Sequence, residues 1–466
     1  MDQNRRRFLQ ATAALTAAIP RSVLGANDRV TVGIIGTGSR GSAMGMAAHR
    51  YPTADVVACC DVDTTRREAF AKRIGPDCQT YGDYRRVLER KDIDAVLVAT
   101  PDHWHSPILV QALDAGKHVY TEKPLSNTVE GAVKMLAAVE KYPTRAVQVG
   151  TMQRSCAHFQ EAVKLVQSGG IGPVTQVTVD HPAGGMAARR PDDSAQPIPE
   201  GFDWDMWQGD APKRPYNAGR ARNWRSWYAY GGGTMTDWII HHVDIVSMAM
   251  DPNGDKPPLY VSAVAAYSFL DNPNLEYVPE TWSSTVQFGH FMMTILSCTP
   301  PPHKHLIQGP SFFGSKGQLM VNRAGYIVVP ISEYQPYMTT LGGRNRLDVP
   351  VPPPQPRTPP PGVAGAAGAA GRGGAAGGFA GMGGRGPQGP PIEPKELLIE
   401  NFGRVEGDYE DAHVANWLDC VKSGQRPIAY LPIVFNAHLS CLMSAQSMRE
   451  RRALAWDPAN RIATPA

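Results

Sequence analysis

The feature of this sequence that most constrains its fold is a series of short apolar runs between residues 29 and 150. The runs are apolar along most of their length rather than alternating with polar residues, which is typical of parallel strands covered by helices on both faces. Helical patterns separate them, and right-handed crossovers then produce a doubly wound sheet. We therefore predict an α/β domain over residues 27–150. Its predicted strands are residues 30–35, 55–60, 95–99, 118–121 and 146–149.

The rest of the chain has a different arrangement of strand-like segments. From residue 151 onward these segments follow one another in hairpin-like order, which predicts a largely antiparallel, open sheet partly covered by helices. A helix is predicted where Val414, Trp417 and Leu418 recur at helical spacing before Gly424, which can end it. We therefore predict a C-terminal α+β domain over residues 151–466. Its predicted strands are residues 176–180, 261–267, 285–288, 292–296 and 318–322.

The first 26 residues have the pattern of a twin-arginine signal peptide. Arg5, Arg6 and Arg7 are followed by a short, weakly apolar segment and then by the small residues Gly25 and Ala26 at the expected cleavage point. The apolar segment is well short of the about 20 residues that a membrane span needs, and no later segment is long and apolar enough. We therefore expect export, to the periplasm or beyond, and a mature chain that is soluble and has no membrane span.

The composition argues against several classes of partner and of stabilising cross-link, and it marks one segment as disordered. The formal net charge of +3 comes from scattered basic residues over 466 positions, so no nucleic-acid partner is expected. None of the seven cysteines forms a C-x-x-C pair, so neither a disulfide scaffold nor a cysteine-based zinc site is predicted. Residues 350–394 are rich in Pro, Gly and Ala and lack a collagen period, which predicts a disordered insertion.

A glycine-rich loop directly follows the first predicted strand. Gly36, Gly38 and Gly41 form a G-x-G-x-x-G pattern that opens a helix, and Asp61 ends the next predicted strand twenty positions later. In this context the glycines permit a tight turn, the close approach of a pyrophosphate and the packing of helix on strand. The domain is therefore predicted to be a Rossmann domain that binds a dinucleotide. Asp61 would repel a 2′-phosphate, so NAD is favoured, while the nearby Arg66 and Arg67 keep NADP open as the less favoured alternative.

Two further polar segments come directly after predicted strands, namely residues 100–105 (TPDHWH) and 122–124 (EKP). Ligands of open α/β sheets bind at the carboxyl ends of the strands, where both segments lie. A lysine held there can donate a hydrogen bond to a substrate oxygen and stabilise developing alkoxide charge. Lys123 is therefore a candidate catalytic residue.

A third segment, residues 231–244, combines acids and imidazoles at helical spacing. In a helix that begins near Thr234, the side chains of Asp237, His241 and Asp244 share one face. Two acids and an imidazole on one stripe suit proton transfer, and histidine is the commonest general base near neutral pH. The same spacing could bind a metal ion, but hydride transfer needs none, so no metal is predicted. His242, on another face, is expected to be structural.

Together these motifs resemble those of the Gfo/Idh/MocA oxidoreductase family, over nearly all of the mature chain. The E-K-P segment combined with D-x-x-x-H is the specific part of the resemblance. It implies that Lys123, Asp237 and His241 form a catalytic trio, in which His241 takes a hydroxyl proton, Lys123 polarises the same oxygen and Asp237 orients the substrate and the imidazole. Members of this family mostly act on sugars, inositols or their derivatives. The matching segments are GTGSRG at 36–41, ATPDHWH at 99–105, EKP at 122–124, VQVG at 147–150 and GGGTMTDWIIHHVD at 231–244.

The remaining site predictions concern contacts to the cofactor and the substrate. The aromatic-rich stretches at 202–207 and 224–230 suit a carbohydrate cleft, and ordinary core packing is the alternative. The predicted cofactor contacts are Gly36, Gly38, Ser39, Arg40, Gly41, Asp61, Thr100, Pro101, His105, Glu122 and Lys123. The predicted substrate contacts are Lys123, Arg154, Trp224, Arg225, Tyr230, Asp237 and His241.

The predicted function is an exported oxidoreductase that transfers hydride between a tightly bound NAD and a hydroxyl or carbonyl group of a sugar, glycoside or polyol. Tight binding is expected because there is no evident pool of free NAD outside the cytoplasm and the twin-arginine route carries folded proteins. Two alternatives stay open. One is an NAD-dependent, redox-neutral glycosidase that works through a transient keto-sugar, although similar enzymes lack the lysine of E-K-P. The other is a non-catalytic sugar-binding protein. The resemblance also implies a homo-oligomer built through the open sheet.

Overall fold

The computed structural model of the chain describes residues 29–182, 194–266, 276–279, 281–298, 308–330 and 409–466. The predicted signal peptide and the predicted insertion at 350–394 lie outside the described residues, so both stay predictions, as does the domain boundary near residue 151. Two sheets organise the described part of the chain, one of six strands and one of nine.

The N-terminal part of the chain alternates strands and helices, as the apolar runs predict. The six strands pair in parallel, and helices cover both faces of the sheet, so every residue of the strand at 95–98 is buried. The doubly wound α/β prediction is confirmed. The strand at 79–81 was not predicted, because it is only three residues long and mostly exposed. The elements are β1 (Val30–Ile35), α1 (Ser39–Arg50), β2 (Ala54–Cys60), α2 (Thr64–Ile74), β3 (Gln79–Tyr81), α3 (Tyr84–Leu88), β4 (Ala95–Val98), α4 (His105–Asp114), β5 (His118–Thr121), α5 (Val129–Lys141) and β6 (Val147–Val149).

The order of these strands determines where a ligand can bind. They lie in the order β3-β2-β1-β4-β5-β6, so the connections leave in opposite directions on the two sides of the β1–β4 pair. The loops after β1 and β4 therefore lie side by side at the switch point, where doubly wound sheets bind their ligands. The glycine-rich loop and residues 99–105 meet at this edge.

The C-terminal part forms a nine-stranded sheet with helices packed on it. In the order β13-β12-β11-β7-β10-β9-β8-β14-β15, the β7–β10 pair is parallel and the other pairs are antiparallel. The prediction of a largely antiparallel sheet is confirmed. The elements are α6 (Ala157–Gln167), β7 (Val174–Pro182), α7 (Trp204–Gln208), α8 (Ala218–Arg222), a π-helical turn (Met235–Ile239), α9 (Ile240–Met250), β8 (Tyr260–Ala266), β9 (Thr281–Gln287), β10 (Met292–Cys298), β11 (Gly309–Gly314), β12 (Gly317–Asn322), β13 (Gly325–Pro330), α10 (Tyr409–Ser423), α11 (Leu431–Glu450), β14 (Leu454–Asp457) and β15 (Ile462–Pro465).

Several strands of this sheet differ from the sequence prediction. β9 begins at Thr281 rather than at residue 285. β11 and β13 were not predicted, because Gly309 with Pro310 and Gly325 with Pro330 are turn signals at the ends of these short strands. β14 and β15 were also missed, and each is only four residues long.

The C-terminal helix α10 packs on the N-terminal sheet. Trp417 and Leu418 are fully buried and belong to the same hydrophobic cluster as Val32 and Ile34 of β1. The helix ends before Gly424, whose φ of 71° is readily adopted only by glycine, so this predicted helix end is confirmed. Residues late in the chain therefore help to build the domain that carries the glycine-rich loop.

Two further observations concern the cysteines and the helices of the described residues. The six cysteines whose side chains are described are all buried free thiols. Among the helices in the described ranges, none combines the length and the hydropathy that a membrane span requires.

Candidate active site

A cavity of about 720 Å³ opens at the carboxyl ends of β1, β2, β4 and β5. One side is formed by the loops that follow these strands, and the other by residues of the C-terminal domain. Most residues of the predicted cofactor and substrate sets line this single cavity. The lining includes Gly36, Gly38, Ser39, Arg40, Asp61, Thr100, Pro101, Asp102, His105, Glu122, Lys123, Trp224, Arg225, Asp237, Trp238, His241 and Arg323.

The glycine-rich loop leaves space where a dinucleotide phosphate must approach the backbone. Gly36 has a φ of 88°, and a Cβ atom there would lie 2.7 Å from the carbonyl oxygen of Ala99. A Cβ atom on Gly41 would lie only 1.8 Å from the carbonyl oxygen of Gly36. At Gly38, by contrast, a Cβ atom would point into the cavity with only Arg66 Nη1 within 4 Å, at 3.6 Å. The loop is therefore packed on one side and open on the side that a pyrophosphate would occupy.

The helix that follows the loop presents its N-terminus to the same space. No side chain caps the first N–H groups of α1, so these donors and the positive end of the helix dipole are available to an anion. At the end of β2, Asp61 lines the cavity, and its Oδ2 accepts hydrogen bonds from Thr37 N at 2.8 Å and Thr37 Oγ1 at 3.1 Å. The residues present thus fit a nicotinamide dinucleotide, with Asp61 placed for a ribose hydroxyl.

Two of the predicted cofactor contacts, Arg40 and Glu122, are paired with each other. Arg40 Nε donates to Glu122 Oε1 at 2.7 Å, and Arg40 Nη1 donates to Glu410 of α10 at 2.5 Å. Burial lowers the pKa of Arg40, but Glu122 and the other acidic neighbours raise it above its ordinary value. The Glu122 carboxylate has room because residue 150 is a glycine. A Cβ atom on Gly150 would lie only 2.8 Å from this carboxylate. This pair ties the loop after β1 to the loop after β5.

His105 also lines the cavity, but its ring nitrogens are occupied by the backbone. Its Nδ1 lies 2.7 Å from the carbonyl oxygen of Pro124, and its Nε2 lies 2.9 Å from that of Thr100. The imidazole is almost completely buried, and burial lowers its pKa. His105 therefore holds the loops after β4 and β5 together beside Lys123.

The predicted trio of Lys123, Asp237 and His241 is assembled at one end of the cavity. Lys123 Nζ donates to Asp237 Oδ1 at 2.7 Å and to the carbonyl oxygen of Asp237 at 2.8 Å. Arg225 Nε donates to the same carboxylate oxygen at 2.9 Å. Burial raises the pKa of Asp237, but Lys123 and Arg225 together outweigh that effect and lower it to about 2. The carboxylate is consequently ionised throughout the neutral range.

His241 is only 3% exposed and reaches the cavity beside Trp238. Burial and then the charge of Lys123 lower the pKa of His241 well below its ordinary value, so the imidazole is neutral near pH 7. Its Nδ1 has no hydrogen-bond partner among the described residues. A neutral imidazole in a polar cavity can accept a proton from a substrate hydroxyl.

The helix that carries Asp237 and His241 differs from the prediction. Residues Met235–Ile239 form a π-helical turn, and the α-helix begins only at Ile240. Asp244 was predicted on the same stripe, but it is fully buried and is paired with Arg154 at 2.8 Å. Widened π turns occur often at functional sites. Here Asp237, within the π turn, lines the cavity, whereas Asp244, in the α-helix that follows, is buried in the core.

Two predicted substrate contacts are therefore corrected. Arg154 is 3% exposed and its guanidinium is held by Asp244 through several hydrogen bonds, so it is absent from the cavity wall. Tyr230 is fully buried, and its ring packs against Trp207 with centroids 4.8 Å apart. At both positions, contacts with residues distant in the sequence hold the side chain in the core rather than at the cavity. Trp224 and Arg225 do line the cavity, with the guanidinium 4.2 Å above the indole ring.

Asp102 and Arg323 are among the cavity residues that were not predicted. Asp102 is buried, and its Oδ2 has no partner among the described residues. Burial raises its pKa well above the ordinary range, against the opposing effect of Arg225. Arg323 belongs to the turn between β12 and β13 and lines the cavity next to Trp238. The motif TPDHWH could have indicated Asp102, whereas nothing in the sequence around Arg323 marks it. Within the described ranges, no three His, Cys, Asp or Glu side chains are grouped to hold a metal ion.

Comparison with known proteins places this cavity in context. A model described as oxidoreductase family, NAD-binding Rossmann fold, of Gfo/Idh/MocA type, matches residues 30–151. A second, described as oxidoreductase family, C-terminal alpha/beta domain, matches residues 156–271, so that the two together match about half of the chain.

Individual relatives match mainly the N-terminal domain. An inositol 2-dehydrogenase of Rubrobacter xylanophilus is 33% identical over 149 residues, 32% of this chain and 42% of that protein. A glycosyl hydrolase family 109 protein of Shewanella sp. is 38% identical over 133 residues, 26% of this chain and 29% of that protein. The matched region thus spans less than half the length of these relatives.

Solved structures extend the likeness in fold to nearly the whole chain. The scyllo-inositol dehydrogenase of Lactobacillus casei, solved with NAD(H) and scyllo-inositol, has a TM-score of 0.55 at 15% identity and covers 92% of this chain and 99% of its own. At that identity the likeness concerns the fold alone. With both family models matched in order along one chain, this protein belongs to the Gfo/Idh/MocA oxidoreductase family and carries its NAD-binding Rossmann domain.

Proposed function

We propose that this protein is an NAD-dependent oxidoreductase that acts on a hydroxyl-bearing carbon of a sugar, glycoside or polyol. The observation that carries the proposal is that the cavity lined by the glycine-rich loop also contains Lys123, Asp237 and His241, with Lys123 Nζ 2.7 Å from Asp237. A dinucleotide site and a proton-transfer site thus share one space. Relatives named as inositol 2-dehydrogenases support the same chemistry.

The residues that would hold the cofactor are those of the loop and of β2. The open side of Gly38 and the uncapped N-terminus of α1 would hold the pyrophosphate, and Asp61 would accept hydrogen bonds from a ribose. NAD bound there would supply the hydride acceptor for oxidation of the substrate carbon, or the hydride donor for the reverse reaction.

The protein's own residues manage the proton and the charge on oxygen. His241 is neutral and accepts the proton of the substrate hydroxyl during oxidation, and it returns that proton during reduction. Lys123 donates a hydrogen bond to the same oxygen and stabilises its developing negative charge. Asp237, ionised between Lys123 and Arg225, fixes the position of both cations.

We further propose that the protein is exported and carries its cofactor tightly bound. Support comes from Arg5, Arg6 and Arg7 ahead of the weakly apolar segment, and from the need for a cofactor where no free pool exists. Mass spectrometry of the purified, denatured protein should detect about one dinucleotide per chain, in line with a single glycine-rich site. A protein purified without any dinucleotide would contradict tight retention.

A homo-oligomer through the open face of the nine-stranded sheet is also proposed. Strand pairing aligns Val264 of β8 with Leu296 of β10 through Ser283, and Met292 of β10 with Phe313 of β11 through Gln176. All four apolar side chains are exposed, Val264 to 69%. Exposed apolar side chains on one face of a sheet favour association with a second copy, which light scattering of the mature protein would detect.

The decisive experiment is a screen of sugars, inositols and glycosides against the purified protein, following the absorbance of reduced nicotinamide. We expect a hydroxyl compound to change the absorbance in the wild type. In His241→Ala the rate should fall by about 10²–10⁴, the usual contribution of a general base. Lys123→Ala should also lose turnover, whereas Lys316→Ala, an exposed lysine outside the cavity, should not. Absence of any response across the panel, with dinucleotide present, would refute the proposal.

The same screen tests a second candidate, a redox-neutral glycosidase. The similarity to a glycosyl hydrolase family 109 protein favours considering it. In such a reaction, transient oxidation acidifies a neighbouring C–H, the leaving group is eliminated, water adds, and the keto group is reduced again. Release of an aglycone from a glycoside with no net change in nicotinamide absorbance would identify this reaction.

A further inference from the structure

The cavity has more basic than acidic side chains. Near the glycine-rich loop, the extra positive charge is explained by the pyrophosphate of the cofactor. Basic side chains also line the end of the cavity that contains His241, namely Lys123, Arg225 and Arg323. The basic residues in the lining are Arg40, Arg66, Arg73, Lys123, Arg222, Arg225 and Arg323, and the acidic ones are Asp61, Asp102, Glu122 and Asp237.

Most of the cations near the reacting groups already have a partner. Arg40 is bound by Glu122 and Glu410, and Lys123 and Arg225 share the carboxylate of Asp237. Arg323 differs, because no carboxylate in the described part of the chain lies within ion-pair distance of it. A half-buried arginine without a counter-charge at the wall of a cavity is available to an anion from outside.

Arg323 is held in position by contacts that leave part of its guanidinium open. The guanidinium carbon lies 4.6 Å above the centre of the Trp238 ring, a stacking arrangement favourable for a cation. With the Gln153 amide oriented so that its oxygen accepts, Arg323 Nε donates to it at 3.0 Å. The terminal nitrogens are not engaged by any described residue. Their fork geometry matches the paired oxygens of a carboxylate, sulfate or phosphate.

This guanidinium lies close to the chemistry. The Trp238 ring on which it stacks is 37% exposed in the cavity, and its centre is 6.3 Å from that of the His241 imidazole. The pyrophosphate of the cofactor is expected elsewhere, at the N-terminus of α1. An anionic group bound by Arg323 would therefore belong to the substrate and would lie near the carbon that reacts.

We propose that the substrate carries an anionic group, a carboxylate, sulfate or phosphate, that binds to Arg323 on its Trp238 platform. This inference rests on the proposed oxidoreductase function, because it takes His241 to mark the reacting hydroxyl. It narrows the substrate class from sugars and polyols in general to their acidic derivatives.

The test compares matched neutral and acidic compounds with the full-length protein purified with its bound dinucleotide. The pairs are glucose with glucuronate, glucose with glucose 6-phosphate, glucose with glucose 6-sulfate, and myo-inositol with an inositol monophosphate. Calorimetry measures affinity, and nicotinamide absorbance measures turnover. We expect at least one acidic compound to bind about tenfold or more tightly than its neutral partner, a preference that one charge-assisted contact can supply. The compound that binds most tightly then shows whether the anionic group of the substrate is a carboxylate, a sulfate or a phosphate.

The variant Arg323→Gln should reduce this preference to less than about threefold, because the positive charge that binds the anion is lost. Arg323→Lys should retain part of it, because the charge remains while the planar fork is lost. Lys316→Gln removes a positive charge from the neighbouring β11–β12 turn, outside the cavity, and should leave the preference unchanged. Thermal denaturation of each variant verifies that it is folded.

The outcomes separate this inference from the function on which it rests. Turnover of neutral compounds with no preference for acids, or a preference that survives in Arg323→Gln, would overturn the inference and leave the oxidoreductase intact. Arg323-dependent binding of an acid with no change of nicotinamide absorbance for any compound would instead refute the proposed function and leave an anion site.

Discussion

At the scale of single residues, Lys123 helps to keep two neighbouring groups deprotonated, one as a charged carboxylate and the other as a neutral imidazole. Burial alone would favour a protonated Asp237 and a neutral His241. Lys123 and Arg225 reverse the first effect and lower the pKa of Asp237 to about 2. Lys123 adds to the second effect and further lowers the pKa of His241. The result is an ionised carboxylate that anchors the cations and a neutral imidazole that can accept a proton.

This arrangement predicts the pH dependence of oxidation. His241 must be neutral to accept the hydroxyl proton, and its pKa in the folded protein lies well below 6.5. The rate should therefore stay constant as pH falls through 6.5 and should decline only at more acidic pH. Single-turnover reduction of the bound cofactor measures the profile, with thermal denaturation at each pH to exclude unfolding. An acid limb centred at or above 6.5 would show that His241 is not the base.

At the scale of elements, two glycines of the glycine-rich loop are required for different reasons, one by the fold and the other by the ligand. Gly41 is needed by the fold, because a Cβ atom there would overlap the carbonyl oxygen of Gly36. Gly38 is not, because a Cβ atom there would meet only the end of the Arg66 side chain. The open surface of Gly38 therefore has no structural explanation within the loop itself, and a bound pyrophosphate supplies one.

The two glycines give a matched pair of substitutions. Gly41→Ala should lower the free energy of unfolding by roughly 1–3 kcal/mol, the usual cost of overpacking, because the loop must shift. Gly38→Ala should leave the melting temperature of the cofactor-free protein nearly unchanged and yet reduce the amount of dinucleotide that copurifies. Calorimetry and mass spectrometry measure the two quantities. Full dinucleotide content in Gly38→Ala would contradict the placement of the pyrophosphate.

The elements also show which parts of the structure sequence patterns can predict. Parallel strands such as β1 and β4 were predictable, because burial on both faces makes them continuously apolar. The Lys123 segment followed from its place after β5. The π-helical turn at Met235–Ile239 was not predictable, because its residues have no periodicity that distinguishes them from an α-helix. The pairing of Arg154 with Asp244, ninety positions apart, is a tertiary contact, so the local spacing that put Asp244 on the stripe of His241 could not reveal it.

At the scale of the whole molecule, the cavity is built from both ends of the chain. Glu410 of α10 bonds Arg40 of the first loop, while Trp417 packs in the core beneath β1. Several histidines in the protein interior are kept neutral because burial lowers their pKa. His103, His413 and His438 are examples, with the pKa lowered to about 4 for the first two and to about 3 for His438. Neutral imidazoles suit a buried site, but they make the fold sensitive to acid.

The effect of acid on the free energy of unfolding has a definite sign and a definite pH window. In the unfolded chain a histidine takes up a proton near pH 6.5, whereas buried His438 stays neutral down to about pH 3. The unfolded state therefore binds more protons below pH 6.5, and the free energy of unfolding should fall as pH decreases through that value. Carboxyls with a raised pKa, such as Asp102, act in the opposite direction but are fewer. Among the described residues, the histidines with a lowered pKa are His103, His105, His118, His158, His181, His241, His242, His413 and His438.

We therefore expect the melting temperature to be lower at pH 5 than at pH 7 at constant ionic strength. One histidine can be isolated with His438→Gln, since glutamine can still accept the hydrogen bond that Leu125 N donates to His438 Nδ1. This variant will be less stable at both pH values. The difference in its free energy of unfolding between pH 7 and pH 5 should nevertheless shrink by on the order of 1–2 kcal/mol, because it no longer titrates in that window. If the difference between the two pH values is unchanged in His438→Gln, His438 is already protonated in the folded protein. If the wild type instead melts at a higher temperature at pH 5 than at pH 7, the buried carboxyls dominate its response to acid.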